Sequence, residues 1–201
     1  MLKSETSIGS LRSVSEVIFS AKNSSVYLKI YEQKSWISQQ NQYNWKMTKI
    51  KGIYQANEPI LRQIAKPVPL VEIKSPKIRR LIKKMKTALA GEKDGVAIAA
   101  PQIGAAIRIF IVAGKWLGKR KGEISNNEKP LKDLVCINPE LVSISKKKKE
   151  SEEGCLSVRW LYGKVQRARN VTIQAFDEEG KEFVRGAGGI LAQIFQHEID
   201  H

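Results

Sequence analysis

Ala187-Gly188-Gly189-Ile190-Leu191-Ala192-Gln193-Ile194-Phe195-Gln196-His197-Glu198-Ile199-Asp200-His201 is the stretch on which the reading of this chain turns. Ile190, Leu191, Ile194 and Phe195 recur at helical spacing and predict a largely buried helix. Both histidines of the chain lie in it, four residues apart. On a helix that spacing sets both imidazoles on one face, where they can reach one metal ion, with Glu198 projecting beside them. Two imidazoles are not a site. A third donor must come from elsewhere, and a hydrolytic metal keeps a further position open for water.

Upstream, Ser75 is a good N-cap, Pro76 sits at the first helical position, and Ile78, Leu81, Ile82, Met85 and Leu89 recur at helical spacing until Gly91. That predicts an amphipathic helix of about four turns. Strand-like runs follow at Ile107 to Val112, Leu134 to Ile137, Leu141 to Ser145 and Val171 to Phe176. Asp177-Glu178-Glu179-Gly180 reads as a hairpin turn with a return strand over Lys181 to Val184. Lys146 to Lys149 reads as a loop. One helix, several strands and a second helix predict an α+β fold, since a doubly wound sheet would alternate helix and strand.

Cys155, in Glu152-Glu153-Gly154-Cys155-Leu156-Ser157, is the natural candidate for the third donor, because thiolate is a strong ligand and glycine and polar residues flank it. Cys136, between Val135 and Ile137, reads instead as a small buried hydrophobe. Gly95-Val96-Ala97-Ile98-Ala99-Ala100-Pro101-Gln102 is a small-residue segment that lets backbone approach a ligand, and its glutamine can donate a hydrogen bond.

The 201 residues carry a net charge of +15, with 42% hydrophobic and 27% charged residues. A core is affordable at this length, and no run approaches the roughly 18 to 20 apolar residues a membrane helix needs. Two cysteines are too few for a disulfide scaffold and fit a reducing, cytoplasmic setting. Residues 1–46 differ in composition from the rest and read as a disordered N-terminal extension, leaving residues 47–201 as the catalytic domain. The first 47 residues hold six Lys and Arg against three Glu, so most of the basic surplus belongs to the later part. The cations are scattered enough to read mainly as a solvated surface, with a weak preference for RNA-rich surroundings.

Taken together, the Gly/Ala-rich segment ending in Gln102, Glu153-Gly154-Cys155-Leu156-Ser157, and His197-Glu198-Ile199-Asp200-His201 about 40 residues on resemble the peptide deformylase family. Asn57-Glu58-Pro59-Ile60-Leu61-Arg62, Ile137-Asn138-Pro139 and Gln196 extend the resemblance over Met47 to His201. It implies small, mostly antiparallel sheets around a central helix that carries His197 and His201. It implies a divalent metal held by Cys155, His197 and His201, Fe(II) by family habit, although Zn, Ni or Co suits the same ligands. Glu198 would be the general acid and base, and Gln102 with the Leu156 N–H would hold the oxyanion. Formate would be released from the N-formylmethionine of nascent polypeptides. The peptide would lie extended along Gly95, Val96, Ala97 and Ile98, with Val96, Ile190 and Ile194 around the methionine side chain. Arg167 and Asp200 are expected to pair behind the metal helix. Ribosome contact is a further expectation; no membrane and no DNA partner is implied.

Several positions depart from the family pattern. Ala97 stands where the family has glycine, which predicts retained catalysis with altered affinity. Arg159-Trp160 replaces Pro-Gly after Ser157-Val158 and changes the substrate entrance. The sequence stops at His201 where the family's helix continues, so the domain reads as incomplete at its C-terminus, with weaker metal retention expected than in an extended chain. Two alternatives stand beside this reading: another HExxH metallopeptidase, which usually takes a third histidine or glutamate ligand, or an inactive deformylase-like protein bound to ribosome or RNA.

Overall fold

Helix α1, Pro76–Ala90, begins where the side chain of Ser75 accepts the Ile78 N–H at 3.3 Å and ends at Gly91. Ile78, Ile82, Met85 and Leu89 form its buried stripe, and Lys77, Arg79, Arg80, Lys83 and Lys84 cover the exposed side. The computed structural model describes residues 49–50, 52–117 and 131–201; the extension expected over residues 1–46 lies outside them.

The strands are β1 (Lys49–Ile50), β2 (Ile53–Tyr54), β3 (Ala97–Ala99), β4 (Ile109–Val112), β5 (Leu134–Ile144), β6 (Lys148–Cys155), β7 (Val158–Ala168), β8 (Asn170–Phe176) and β9 (Glu182–Gly188), followed by helix α2 (Gly189–Asp200). Five form one sheet in the order β3-β4-β5-β8-β9, antiparallel throughout. Two small antiparallel sheets, β1-β2 and β6-β7, complete the α+β architecture.

The large sheet lies between the helices. Ile98, Ile109, Ile111 and Ile137 pack with the α1 stripe on one face, while Phe110, Val112, Cys136 and Ile173 pack with Ala192, Ile194 and Phe195 of α2 on the other. Successive strand residues point to opposite faces, so a strand covered on both sides must be apolar at every position, as β4 is. Phe110 and Phe195 meet across the α2 interface with ring centroids 5.9 Å apart. Cys136 is fully buried, as expected, and burial pushes its thiol above the ordinary range.

Two sequence expectations change here. The runs expected at Leu134 to Ile137 and Leu141 to Ser145 merge into one strand, β5, which ends at Ile144 and whose pairing with β8 is irregular between Ile137 and Glu140. Pro139 removes a ladder donor there, and Asn138 takes a left-handed φ of 51°. Lys148 and Lys149 are strand, not loop, because β6 pairs with β7 from Lys148↔Ala168 to Gly154↔Tyr162. The hairpin turn after β8 forms at the expected place, with Asp177 Oδ1 accepting the Glu179 and Lys181 N–H groups.

Candidate active site

α2 enters the site under a side-chain clamp. Gln196 Oε1 accepts the Ala168 N–H at 2.9 Å and Gln196 Nε2 donates to the Ala168 carbonyl at 3.1 Å, tying the helix to the end of β7. The next residue, His197, has its Nδ1 2.9 Å from Glu153 Oε2 on β6. A carboxylate can only accept, so Nδ1 carries a proton there, and Nε2 is the nitrogen left to face the other ligands. Glu153 is locked in turn by Arg167, whose Nε and Nη2 donate to its two oxygens at 2.7 and 2.8 Å. Arg167 Nη1 also donates to Asp200 Oδ2 at 2.6 Å. Burial opposes ionisation of Glu153, but bonds from Arg167 and His197 outweigh it and pull its carboxyl down to about 2. The Arg167–Asp200 pair was anticipated; Glu153 as its hub was not, because no local pattern marks a carboxylate whose partners lie on another strand and a helix.

Cys155 ends β6 and faces the helix. Its Sγ lies 3.2 Å from His201 Nε2, and the ligand atoms of Cys155, His197 and His201 all fall within 4.8 Å of one another. Burial alone would raise the Cys155 thiol, yet the two imidazoles hold it well below the ordinary range. One soft sulfur and two imidazole nitrogens converging in this way fit a divalent transition metal. Glu198 is buried beside them, and its Oε2 has no hydrogen-bond partner among the described residues. Burial pushes its carboxyl up to about 7, against the pull of His197 and His201. A carboxyl poised near neutrality with a free oxygen can carry a proton in either direction.

Gln102 closes the other wall. It lies in a 3-10 turn, Ala100–Ile103, directly after β3, and its Oε1 accepts the Ala99 N–H at 2.8 Å. That orients Nε2 toward Ser157 Oγ at 3.1 Å and Cys155 Sγ at 3.4 Å. An N–H on sulfur is a weak bond, leaving this donor available to a better acceptor.

These groups line a cleft of about 580 Å³. Gly95, Val96, Ala97, Leu156, Ile190 and Ile194 share it with Gln102, Cys155, His197 and Glu198. His201 stands against Cys155 without lining the cleft, and Ile98 is fully buried in the α1-side core. β3 is an edge strand, with β4 on one side only. Because the Ala113 N–H donates to the Val96 carbonyl, the alternation of an antiparallel ladder turns the peptide groups of Val96 and Ile98 toward β4 and those of Ala97 toward the open edge. Of the four residues expected to pair with a peptide, Ala97 is thus the strand residue whose peptide groups face the open edge, while the Gly95 N–H is already given to the Glu92 carbonyl. Arg159 and Glu92, both lining the cleft, were not anticipated as a pair. The Trp160 side chain lies outside the described residues.

A cysteine sulfur, two imidazoles and a buried carboxyl gathered beside a cleft, carried on helix-flanked antiparallel sheets, are the donor set of a metallohydrolase. Comparison with known proteins narrows the class. The family model described as polypeptide deformylase matches residues 50–201. Peptide deformylase of Carboxydothermus hydrogenoformans is 37% identical over 150 residues, covering 74% of this chain and 85% of that protein. The Fusobacterium nucleatum enzyme is 38% identical over 149 residues, covering 74% of this chain and 76% of its own. Among solved structures, a class I type b peptide deformylase from Acinetobacter baumannii with Met-Ala-Ser bound superposes with a TM-score of 0.64 at 32% identity, covering 77% of this chain and 94% of that one. The chain belongs to the polypeptide deformylase family, and removal of the N-formyl group from newly made proteins is its reaction. The alternative of another HExxH peptidase is not favoured, since the third donor that converges is Cys155 rather than a histidine or glutamate.

Proposed function

We propose that deformylation in this chain is performed by Glu198, Gln102 and the Leu156 N–H around a divalent ion held by Cys155, His197 and His201. When bound, such an ion would polarise the formyl carbonyl and lower the pKa of the attacking water. Glu198 accepts the proton of that water as its oxygen adds to the formyl carbon. The same carboxyl then returns the proton to the amine nitrogen as the C–N bond breaks, releasing formate and a free N-terminus. Gln102 Nε2 leaves the sulfur for the oxygen that becomes negative, and the Leu156 N–H, in the turn after Cys155, is the second donor.

The peptide lies extended beside β3, bonding to the outward peptide groups of Ala97, with its methionine side chain among Val96, Ile190 and Ile194. Met-Ala-Ser bound to the Acinetobacter baumannii relative supports a substrate of this kind. The observation that carries the reading is the convergence of three metal-type ligands and an unpartnered buried carboxyl oxygen at one end of a cleft edged by an open strand. Formate release from formyl-Met-Ala-Ser tests it. Activity is expected in the wild type and not in Glu198→Ala; turnover persisting in that variant would remove the role given to Glu198.

Fe(II) is the proposed ion on the family habit, since the mixed sulfur and nitrogen donors suit Zn, Ni or Co as well. Elemental analysis after anaerobic purification tests it, and Zn as the sole metal would overturn it. The exposed cations of α1 and the two free cysteines support work in the cytoplasm close to ribosomes. No helix among the described residues is long and apolar enough to cross a membrane. Co-sedimentation with ribosomes that falls as salt rises is the expected result.

A further inference from the structure

One buried ion pair is not used by the chemistry above. Arg159 Nη1 donates to Glu92 Oε2 at 2.9 Å, and Nη2 lies 2.8 Å from Oε1. The side chains are 14% and 6% exposed, and both residues line the cleft. A buried pair of this kind is poor evidence of stability, since desolvation offsets much of the attraction. Its position is more informative.

Each partner sits at the root of one cleft wall. Glu92 opens the turn that delivers the chain into β3: its carbonyl accepts the Gly95 N–H at 3.0 Å. That turn is tight, because a Cβ on Gly95 would stand 2.9 Å from Leu89 Cδ1 and 3.0 Å from Glu92 Cβ. Arg159 follows Val158, which pairs with Cys155, and the next regular pair of the hairpin is Gly154↔Tyr162. Residues 159–161 therefore bulge from β7 with no partner on β6, and Arg159 and Leu161 both line the cleft. A bulge re-aims a strand and needs something to hold it. One directed bond from Nη1 to Oε2, joined by the close charge contact of Nη2 with Oε1, supplies direction as well as attraction. Gln102 already bridges β3 to Ser157 within the cleft, and Arg159–Glu92 is a second bridge between the same two walls.

We propose that the Arg159–Glu92 pair is a clasp that sets the width of the substrate cleft by holding the β7 bulge against the turn into β3. It rests on the extended-peptide reading given above. Both are positioning residues: they touch neither the formyl group nor the metal ligands' donor atoms, and they act by fixing the separation of Ala97 from Leu156. Opening the clasp leaves the catalytic groups in place and weakens their hold on the peptide.

The test is steady-state kinetics on formyl-Met-Ala-Ser, with calorimetric binding of the product Met-Ala-Ser, for Glu92→Gln, Arg159→Gln, Arg159→Lys and the swap Glu92→Arg with Arg159→Glu. The single neutral variants are expected to raise KM by about tenfold and to weaken product binding in parallel, with kcat within about twofold of wild type. Arg159→Lys keeps the charge but not the planar guanidinium that carries both contacts and should fall between. The swap should recover most of the loss. Unchanged KM in the folded variants, a fall confined to kcat, or a swap no better than either single change would overturn the clasp. If the neutral variants fail to fold, Arg159→Lys and the swap decide. Wild-type protein that releases formate but does not bind Met-Ala-Ser would overturn the extended-peptide reading, and the clasp with it. Equal binding by wild type and variants would overturn the clasp alone.

Discussion

Glu153 and His197, 44 residues apart in the chain, meet at 2.9 Å through Oε2 and Nδ1, and this bond decides which nitrogen of the histidine faces the other ligands. Glu153 sits two residues before Cys155 on β6, so one strand both supplies the sulfur and aims the imidazole. Arg167 fixes the carboxylate from β7 and reaches on to Asp200 beside His201. The proposed metal ligands are thus braced by charges that do not belong to the site's chemistry.

Glu153→Ala removes that brace. Divalent metal affinity is expected to fall about 10- to 100-fold, as losses of such partners typically do. Competition with a chromogenic chelator measures it, and wild-type affinity in the variant would contradict the role of the bond.

Gln196→Ala should cost stability rather than chemistry. Its amide satisfies both peptide groups of Ala168, which is 5% exposed. Leaving two buried backbone groups unpaired costs about 2 to 6 kcal/mol in all, at roughly 1 to 3 each. Denaturant unfolding monitors it; a variant as stable as wild type would show that water replaces the amide.

Asn138 is a test of backbone against side chain. It holds φ at 51° and bonds both ways to Val68, accepting its N–H at 2.7 Å and donating to its carbonyl at 2.8 Å. Asn138→Gly loses the bonds but tolerates the conformation, whereas Asn138→Ala loses the bonds and adds about 1 to 2 kcal/mol of left-handed strain. The expected order of melting temperature is Asn above Gly above Ala. Ala at or above Gly would rule out the strain.

Gln102→Ala should lower kcat by about 10² to 10³, the usual loss for one oxyanion donor, with a much smaller effect on KM. Rapid formate assays separate the two. A rise in KM alone would make Gln102 a binding residue. Its loss also frees the Ala99 N–H, so unfolding should be followed alongside.

Much of this was legible beforehand, for reasons tied to range. Ser75, Pro76 and Gly91 bound α1 because capping acts within one turn, and Asp177 to Gly180 folds as a hairpin turn through bonds inside those residues. Lys146 to Lys149 reads as a loop, and the rest of the β6–β7 hairpin gives no strand signal, because Lys148 to Glu153 lacks the apolar alternation of a half-buried strand. Its pairing is supported by opposed polar residues instead, such as Glu152 facing Lys164 and the Lys164–Glu150 contact at 3.2 Å. Those partners are legible only once the register is known.

From the sequence alone came the helical spacing that puts His197 and His201 on one face, the burial of Cys136, the candidate third donor and the α+β class, because each follows from neighbours a few residues apart or from motifs in order. Tertiary structure alone decided that Cys155 stands 3.2 Å from His201, that Ala97 rather than Ile98 offers its peptide groups at the open edge, and that Glu153, Arg167 and Asp200 form one chain of charge. It also decided that Arg159 meets Glu92. These are pairings between residues tens of positions apart, and their energy depends on the sheet register and helix docking that bring them together.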